Sequence, residues 1–292
     1  MRFNNVKDAT PEQIRALQLK ELEILKKLKK VCYEHHLRFF LIGGTLIGAL
    51  RNKGFIPWDD DIDVMMLRKD FEILSAHPEW FENEDLIMQR SSEKINQHLT
   101  GIELKDPNTT FINKHSVNEN IQHSIAIDIL PMDYRPKGKI KKMKQIVYSM
   151  IYSLYNADRI PDHQGNLIKI PSYLLLKAVP SKKAKYRLWS WAQRKMIALD
   201  DKESREVVEL SCGIKALFRY VDAAWFESSL EVEFEGELFP IPIGYDEYLT
   251  TVFGDYMSLP PEEDRVAKHN TLLVDTEVPY TNDMRKEFIK GD

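Results

Sequence analysis

The sequence has few cysteines and no long apolar run. Cys32 and Cys212 are its only cysteines, far apart and without a Cys-x-x-Cys motif, which excludes a disulfide framework or a cysteine-rich zinc site and predicts buried thiols in a reducing compartment. The longest apolar stretch, Ile146–Tyr155, has ten residues with two serines among them, whereas a membrane helix needs about 20 apolar residues. The polar first thirteen residues lack the apolar region of a signal peptide. We therefore expect a cytoplasmic protein without a membrane-spanning helix.

Charge of neither sign dominates. The 41 Lys and Arg residues nearly balance the 45 Asp and Glu residues, and 43% of the chain is hydrophobic, which excludes a disordered chain and gives no reason to expect a nucleic-acid partner. The balance hides a local asymmetry, because residues 139–200 contain thirteen Lys and Arg residues against three Asp residues, a net charge of +10. This segment is either the solvated face of a helical bundle or a surface for an anionic membrane or polymer.

Hydrophobic periodicity predicts an α+β (mixed α/β) fold, in which helices flank a mixed sheet. Thr10 to Glu34 has helical spacing, with Thr10 as N-cap and Gln13 completing a capping box. We predict a catalytic core over residues 1–136, a basic helical module over 137–228, and a hairpin and helix over 229–292 that pack back on the core. The main further elements predicted are strands at 39–42, 61–66, 86–90, 99–105 and 124–130, helices at 45–51, 68–77, 139–157, 182–200 and 246–253, and a hairpin turning at Glu235-Gly236.

Four aspartates within five residues, Asp59, Asp60, Asp61 and Asp63, are the densest chemical signal. Their mutual repulsion is costly unless cations neutralise it, and carboxylate oxygens suit Mg²⁺ or Mn²⁺. On a strand, Asp61 and Asp63 point to the same face, about 7 Å apart. A solvated acidic loop is the alternative, but the apolar residues around Asp63 favour a strand.

Gly43, Gly44 and Thr45 lie between a predicted strand and a predicted helix. Two glycines allow close approach to the backbone, and the positive end of a helix favours phosphate. The Thr45 hydroxyl is a further donor. A phosphate site at this turn, followed by aspartates that bind a metal, is the arrangement that phosphoryl chemistry needs.

A third carboxylate and several cations complete the predicted site. Asp128 is a single acid within an apolar strand, and a buried charge needs a partner; we expect it beside Asp61 and Asp63. Asp133, beyond Pro131, is expected in the following turn. The candidate cations for substrate phosphates, each with a surface role as the alternative, are Arg51, Lys53 and Lys105.

These motifs resemble those of the LicD family. The resemblance rests on Leu41 to Arg51 (LIGGTLIGALR), on Lys53 to Asp63 (KGFIPWDDDID), and on Phe234-Glu235-Gly236 with the Gly-Tyr-Asp and Leu-Pro-Pro motifs that follow it. LicD proteins are phosphocholine transferases with a nucleotidyltransferase (polymerase-beta-like) fold, and fukutin and fukutin-related protein are distant relatives.

The resemblance implies a Mg²⁺-dependent transferase that moves phosphocholine from CDP-choline to a sugar hydroxyl of a teichoic acid or lipopolysaccharide precursor. It implies that Asp61, Asp63 and Asp128 are the catalytic and metal-binding residues. The acceptor is expected to be lipid-linked, with peripheral membrane contact through residues 139–200. Residues for substrate contact, or for support behind the metal ligands, are Trp58, Asp59, Asp60, Tyr245, Tyr248 and Tyr256, whose aromatic members could face choline or belong to the core.

Three alternatives stay open at this stage. A polyol donor would make the protein a ribitol phosphate or glycerol phosphate transferase. The same site could serve a nucleotidyltransferase that modifies a small molecule. A membrane-bound scaffold with a decayed site is the non-enzymatic alternative, against which the intact Asp61, Asp63 and Asp128 argue.

Overall fold

A computed structural model describes residues 1–160, 166–210 and 214–289, so Cys212 lies outside the described residues. The architecture is α+β, a mixed sheet flanked by helices, as the sequence predicted. The chain divides into two compact units. The first combines residues 1–89, 102–130 and 224–292, and the second combines 90–101 and 131–223. The predicted division at residues 136 and 228 remains a prediction.

The helices of the described chain include most of those predicted. None of them is both long and apolar enough to span a bilayer. They are α1 Pro11–Glu34, α2 Gly43–Asn52, α3 Arg68–Ser75, α4 Glu79–Glu82, α5 Lys139–Ala157, α6 Asn166–Ala178, α7 Lys182–Ile197, α8 Ile214–Leu217, α9 Tyr245–Phe253 and α10 Asn282–Lys286.

The strands of the described chain form three sheets. They are β1 Arg2–Phe3, β2 Phe40–Leu41, β3 Asp63–Leu67, β4 Ile87–Arg90, β5 Ile102–Lys105, β6 Thr110–Asn113, β7 Ala126–Tyr134, β8 Glu206–Val208, β9 Tyr220–Asp222, β10 Ser229–Phe234, β11 Glu237–Pro242 and β12 Thr271–Asp275.

The first unit is built on the strand order β2-β3-β7-β5-β4. β2 pairs with β3, and β5 pairs with β7, both antiparallel. Helix α1 begins at the predicted capping box, in which Thr10 Oγ1 accepts from the Gln13 N–H and Gln13 Oε1 accepts from the Thr10 N–H. Its stripe of Leu17, Leu25 and Leu28 is fully buried. This stripe therefore contributes to the core of the unit that carries the aspartates.

Two smaller sheets complete the first unit. β12 pairs antiparallel with both β1 and β6. The predicted hairpin is formed by β10 and β11, and its turn residues Glu235 and Gly236 both have positive φ, the geometry of a type I′ turn. Phe234 packs against Phe55, with ring centroids 4.9 Å apart, so the hairpin is anchored in the core of this unit.

The second unit is mainly helical. Helices α5 and α7 pack together around Tyr152, Trp189 and Met196, which are almost fully buried. The Tyr152 hydroxyl donates to the carbonyl of Thr100, 2.9 Å away, within the same unit. The unit also contains the three-stranded arrangement of β9, β8 and the end of β7. Helices α5 and α7 of the basic segment therefore pack together, as expected if this segment is part of a helical bundle.

Two predictions about elements are wrong. Asp133 was expected in a turn but lies in β7, fully buried and paired with Val208, because Pro131 falls between the residues that pair with β5 and those that pair with β8, where a missing N–H is tolerated. The strand predicted from Asp61 begins only at Asp63. The connection between α5 and α7 contains α6, for which the sequence analysis made no prediction and which accommodates Pro171 inside the helix.

Candidate active site

The glycine turn and the aspartates meet at the start of α2. Gly43 has a φ of +55°, which favours glycine, and α2 has no side-chain cap at Ile42. A Cβ added to Gly44 would lie 2.5 Å from Asp59 Oδ2, and one added to Gly43 would lie 3.6 Å from Asp63 Oδ2. The absence of a side chain at Gly44 therefore leaves room for Asp59, whereas the requirement at Gly43 is its positive φ. The Asp59 and Asp63 carboxylates at the positive end of α2 would repel a phosphate that arrived without a cation.

Thr45 fixes the first residue of β3. The Asp63 N–H donates to Thr45 Oγ1, 3.0 Å away, and the Ile42 N–H donates to the Asp63 carbonyl, 3.3 Å away. Thr45 is buried. Its hydroxyl thus orients the Asp63 backbone, a contact that the predicted phosphate role did not include.

Asp128 lies on β7, next to the residues that lead into β3. Its N–H donates to the carbonyl of Ile62, 2.9 Å away, and it stands opposite Glu103 on β5. Burial raises the pKa of Asp128 well above its usual value, and the negative charges of Glu103 and Asp63 raise it further. The sheet thus brings together the three predicted carboxylates and adds Glu103.

Asp59, Asp60 and Asp61 form a group that can hold a metal ion. One ligand oxygen from each lies within 4.8 Å of the others. Burial raises the pKa of Asp59 to about 8, and the charges of Asp61, Asp60 and Asp63 contribute. Burial also raises the pKa of Asp61. Such shifts show that these carboxylates are hard to ionise together without a cation.

Asp60 has a different function from its neighbours. It is buried and accepts hydrogen bonds from the backbone N–H groups of Lys268 and His269, at 2.9 and 3.1 Å. Burial raises the pKa of Asp60, but these bonds and the His269 side chain outweigh it and bring the pKa below its usual value. Asp60 therefore ties the 268–269 segment to the acidic loop.

His269 is a residue that the sequence analysis missed. Its Nδ1 lies 3.3 Å from Asp60 Oδ2 and 4.0 Å from Asp61 Oδ2. Although burial alone lowers it, the hydrogen bond to Asp60 and the charges of Asp60, Asp61 and Asp128 raise the pKa of His269 to about 10. His269 therefore contributes positive charge to the acidic group. No motif around it pointed to this role.

Glu21 on α1 was also missed. It is only 2% exposed, and its Oε2 has no hydrogen-bond partner within the part of the chain that the structure describes. Burial raises its pKa well above the usual value, and Asp61, Asp60, Asp59 and Asp128 raise it further. The signal was available, because Glu21 interrupts the apolar stripe of Leu17 and Leu25.

The three predicted cations differ in position. Arg51 donates from Nη1 to the carbonyl of Ser258, 3.4 Å away, and lies close enough to Asp59 for that carboxylate to influence its pKa, which burial lowers. Lys53 is 74% exposed and lies 3.3 Å from Glu233. Lys105 is buried and donates to the carbonyl of Gln122, with Glu103 3.0 Å away. Only Arg51 is thus placed beside the acidic loop with a partly exposed side chain.

The four aromatic candidates differ in their exposure and in their contacts. The guanidinium of Arg265 lies 5.8 Å from the centre of the partly exposed Trp58 ring. Tyr256 is partly exposed and its hydroxyl donates to Asp246, 2.6 Å away; Tyr245 at the start of α9 is also partly exposed. Tyr248 is buried and packs edge-on against Phe226, 5.5 Å away. Tyr248 therefore belongs to the core, whereas the Trp58 side chain is partly exposed.

Comparison with known proteins connects this geometry to a family. Residues 36–152 match the family model described as LicD/FKTN/FKRP, nucleotidyltransferase domain. The chain is 29% identical over 265 residues to the lipopolysaccharide cholinephosphotransferase LicD of Haemophilus influenzae, and the match covers 88% of this chain and 96% of that protein. Shorter matches are to uncharacterized proteins of Rickettsia typhi, 29% identical over 72 residues and covering 24% of this chain and 23% of that protein, and of Rickettsia prowazekii, 34% identical over 48 residues and covering 16% and 18%.

The matched region contains the glycine turn, Asp59 to Asp63 and Asp128. Glu21 and His269 lie outside it. Both comparisons therefore confirm the resemblance to the LicD family that the sequence motifs indicated.

Proposed function

We propose that this protein transfers phosphocholine from CDP-choline to a sugar hydroxyl of a cell-surface glycan, a lipopolysaccharide or teichoic acid precursor. The observation that carries the proposal is the meeting of Asp59 and Asp63 with the Gly43-Gly44 turn, in a chain similar along nearly its whole length to a lipopolysaccharide cholinephosphotransferase. A phosphate turn faced by carboxylates suits the transfer of a phosphoryl group from a diphosphate donor.

The carboxylate group fits a divalent metal. Asp59, Asp61, Asp63 and Asp128 offer only oxygen ligands, the donor set that Mg²⁺ or Mn²⁺ prefers. The raised pKa values of Asp59 and Asp128 support this assignment, because they reflect burial and neighbouring negative charge, both of which a bound cation would offset. When bound, the ion would neutralise the donor diphosphate and the departing CMP.

The protein's own residues orient and activate the substrates. The N–H groups at the start of α2 and the guanidinium of Arg51 are proposed to bind donor phosphate oxygens. Asp128, in its ionised form, is proposed to accept the proton of the acceptor hydroxyl as a general base. Asp60 holds His269 in place, and His269 limits the net negative charge that the donor meets.

Trp58 supports choline as the transferred alcohol. A quaternary ammonium binds to aromatic faces, tryptophan best of all. The Arg265 guanidinium already lies over the Trp58 ring, so this ring can accept a cation. Tyr245 and Tyr256 are the further candidates for the choline site.

The acceptor is proposed to be lipid-linked and met at the inner face of the plasma membrane. Precursors of surface glycans are commonly held on lipid carriers, so an enzyme that modifies them benefits from peripheral membrane contact. The basic segment of residues 139–200 is the proposed place of that contact.

A donor-selection assay tests the proposed reaction. The full-length protein is incubated with Mg²⁺, a glycan acceptor and CDP-choline, CDP-ribitol or CDP-glycerol, and CMP release is measured. We expect CMP from CDP-choline above all, and none with the Asp61→Asn variant. A preference for CDP-ribitol or CDP-glycerol would replace choline by a polyol. Pyrophosphate from a nucleoside triphosphate, with no CMP from any donor, would show a nucleotidyltransferase instead.

A further inference from the structure

Helix α5 is apolar on two opposite faces. One face, with Ile146, is buried in the core of the second unit. The other exposes Ile140 (75% exposed), Met143 (55%), Val147 and Met150. Their spacing of three, four and three residues places them in one stripe along the helix. Ile140, Met143 and Val147 also line a shallow groove with Lys144 and Tyr148. A surface helix normally has polar residues at such positions.

Helix α6 has the same character. Ile170, Tyr173, Leu174 and Leu175 are all exposed, and the helix contains no Asp or Glu. Eight of the 25 exposed large apolar side chains of the described chain lie on α5 and α6. Such a concentration of exposed apolar side chains on two helices of one unit favours an interaction site over an ordinary solvated face.

Lysines border this apolar surface. Lys139, Lys141 and Lys144 lie on α5, and Lys169 and Lys177 lie on α6. Across residues 1–160, 166–210 and 214–289, none of these five lysines has an ion pair within 4.0 Å, whereas Lys142 pairs with Glu206 and Lys185 pairs with Asp158. The five ammonium groups are therefore available to bind an external anion.

We propose that α5 and α6 form a docking face for an anionic lipid bilayer. Their exposed apolar side chains would enter the boundary between headgroups and acyl chains, and the five lysines would bind lipid phosphates. The composition favours a bilayer over a protein partner, because lysine is depleted from protein interfaces while arginine is enriched, and every basic residue on α5 and α6 is lysine. The helices lie on the membrane, since neither is long and apolar enough to span it.

This inference rests on the peripheral membrane contact of the proposed function, but not on which alcohol or glycan the enzyme uses. Vesicle binding and CMP release are separate measurements, so a failure of the docking face is distinguishable from a failure of the proposed transfer reaction.

Vesicle sedimentation with the full-length protein tests the docking face. Vesicles of neutral phosphatidylcholine are compared with vesicles containing about one third phosphatidylglycerol. We expect binding to the anionic vesicles only, weakened by 0.5 M salt because exposed charges are screened. Equal binding to both vesicle types, or binding to neither, would overturn the proposal.

Two variants and two matched controls locate the contact. Lys139→Gln/Lys141→Gln/Lys144→Gln is expected to lower the affinity for anionic vesicles at least about tenfold, from the attraction that each lysine adds. Met143→Gln/Val147→Gln is expected to lower it about as much, because it removes apolar insertion. Lys7→Gln/Lys69→Gln/Lys94→Gln is the control for the lysine variant, because it removes the same charge elsewhere on the protein. Leu230→Gln/Leu238→Gln is the control for the apolar variant, because it replaces two exposed apolar side chains elsewhere.

Unchanged melting temperatures would show that the four variants fold. Equal losses in variants and controls would refute the assignment to α5 and α6. Light scattering tests whether a second copy of this chain occupies the face instead. The lipid proposal would be overturned if the wild type formed a dimer and bound no vesicles, and if the Met143→Gln/Val147→Gln variant were monomeric.

Discussion

Single carboxyl groups account for most of the chemistry of this protein. Asp59 and Asp63 lie at the start of α2, and the charges of Asp61 and Asp63 act on Asp128. Glu21 adds a buried carboxyl group without a hydrogen-bond partner for Oε2 among the described residues. His269 compensates part of this negative charge at close range, and Arg51 lies near enough to Asp59 to contribute. Groups so arranged either hold protons or hold a cation.

Replacing Asp61, which lies just before β3, or Asp63, the first residue of β3, should abolish turnover. Asp61→Asn or Asp63→Asn is nearly isosteric but removes a ligand charge, so we expect CMP release to fall by about a thousandfold or more, a loss typical of metal-assisted chemistry. The melting temperature in the absence of metal should stay the same or rise, since repulsion is relieved. Activity within a few-fold of the wild type would refute the metal assignment.

The response to Mg²⁺ should depend on pH. Asp59 has a pKa of about 8 in the folded protein against 3.8 ordinarily, so the folded state holds the proton more tightly and the metal-free protein loses stability as pH rises from about 4 to about 8. A metal displaces that proton, so its binding strengthens as pH rises.

The increase in melting temperature on adding Mg²⁺ should therefore be larger at pH 8.5 than at pH 6. Differential scanning fluorimetry measures it, with Asp61→Asn/Asp63→Asn as the control that should show little increase at either pH. An increase that is larger at pH 6 would contradict the proposal.

The sequence singled out the carboxylates that belong to one local pattern, and their role as metal ligands stays a prediction. Strand alternation was the reason for Asp61 and Asp63, but Asp61 lies before β3, so only the acidic run itself indicated it. Asp128 was singled out by the cost of burying a lone acid. His269 and Glu103 could not be found this way, because their relevance comes from pairing between segments far apart in the chain. Asp60 belonged to the acidic pattern, but nothing local showed that it binds a distant turn.

At the scale of elements, α2 shows two glycines with different functions. A Cβ at Gly48 would lie 2.5 Å from the backbone carbonyl oxygen of Gly54, whereas a Cβ at Gly44 would meet the end of the Asp59 side chain. A backbone atom cannot move aside as a side chain can. Gly48 therefore serves the packing of α2 on the 54–56 segment, and Gly44 serves the site.

Alanine at the two positions should separate stability from activity. We expect Gly48→Ala to lower the free energy of unfolding by about 1–3 kcal/mol. Gly44→Ala should cost less stability but reduce CMP release and Mg²⁺-induced stabilisation, because Asp59 must move. Urea unfolding and the CMP assay check both, and equal stability losses at the two positions would contradict this division.

The hairpin turn is tied to α1 and to the loop before the aspartates. Glu235 accepts from Arg15 Nη1 and Nη2, at 2.9 and 2.6 Å, and from the Phe55 N–H at 3.1 Å. The hydrogen bond from Arg15 lowers the pKa of Glu235 below 4.5, although burial opposes it. This carboxylate therefore links three segments of the first unit.

Glu235→Gln should destabilise the protein by about 1 kcal/mol, a modest value because Arg15 is partly exposed. Since the pKa of Glu235 is lowered in the folded state, the stabilisation is fully present above the ordinary pKa of 4.5 and is lost as pH falls below it through the folded-state pKa. Urea unfolding at pH 7 and pH 3.5 should show the difference from wild type shrinking. Glu233→Gln, which alters only an exposed pair with Lys53, is the control expected to change little.

Elements with a strong local signal were predicted well. The capping box, the hairpin turn at Glu235-Gly236 and the bounds of α5 match the sequence patterns closely. β6 and β12 were missed because each is four or five residues long and its partner is about 160 residues away. No local pattern reports such a pairing.

At the scale of the whole molecule, neither unit is a continuous stretch of chain. The first unit takes its residues from three segments and the second from two. The first unit includes 224–292 with the hairpin, His269 and β12. Each unit is therefore assembled from segments that are far apart in the sequence.

A fragment of residues 1–136 should therefore fail to fold on its own. It would lack β12, which pairs with β1 and β6, and the backbone donors that satisfy the buried Asp60. We expect no cooperative thermal transition for this fragment by circular dichroism, against a sharp one for the full chain. A fragment that unfolds cooperatively and binds Mg²⁺ would show that the C-terminal segment is dispensable.

The position of β12 also bears on the order of folding. The strand that joins β1 to β6 follows β6 by about 160 residues in the chain, and a contact between such distant segments carries a large loop-closure entropy. We therefore expect the sheet of β1, β12 and β6, and with it the contact between His269 and Asp60, to form late in folding.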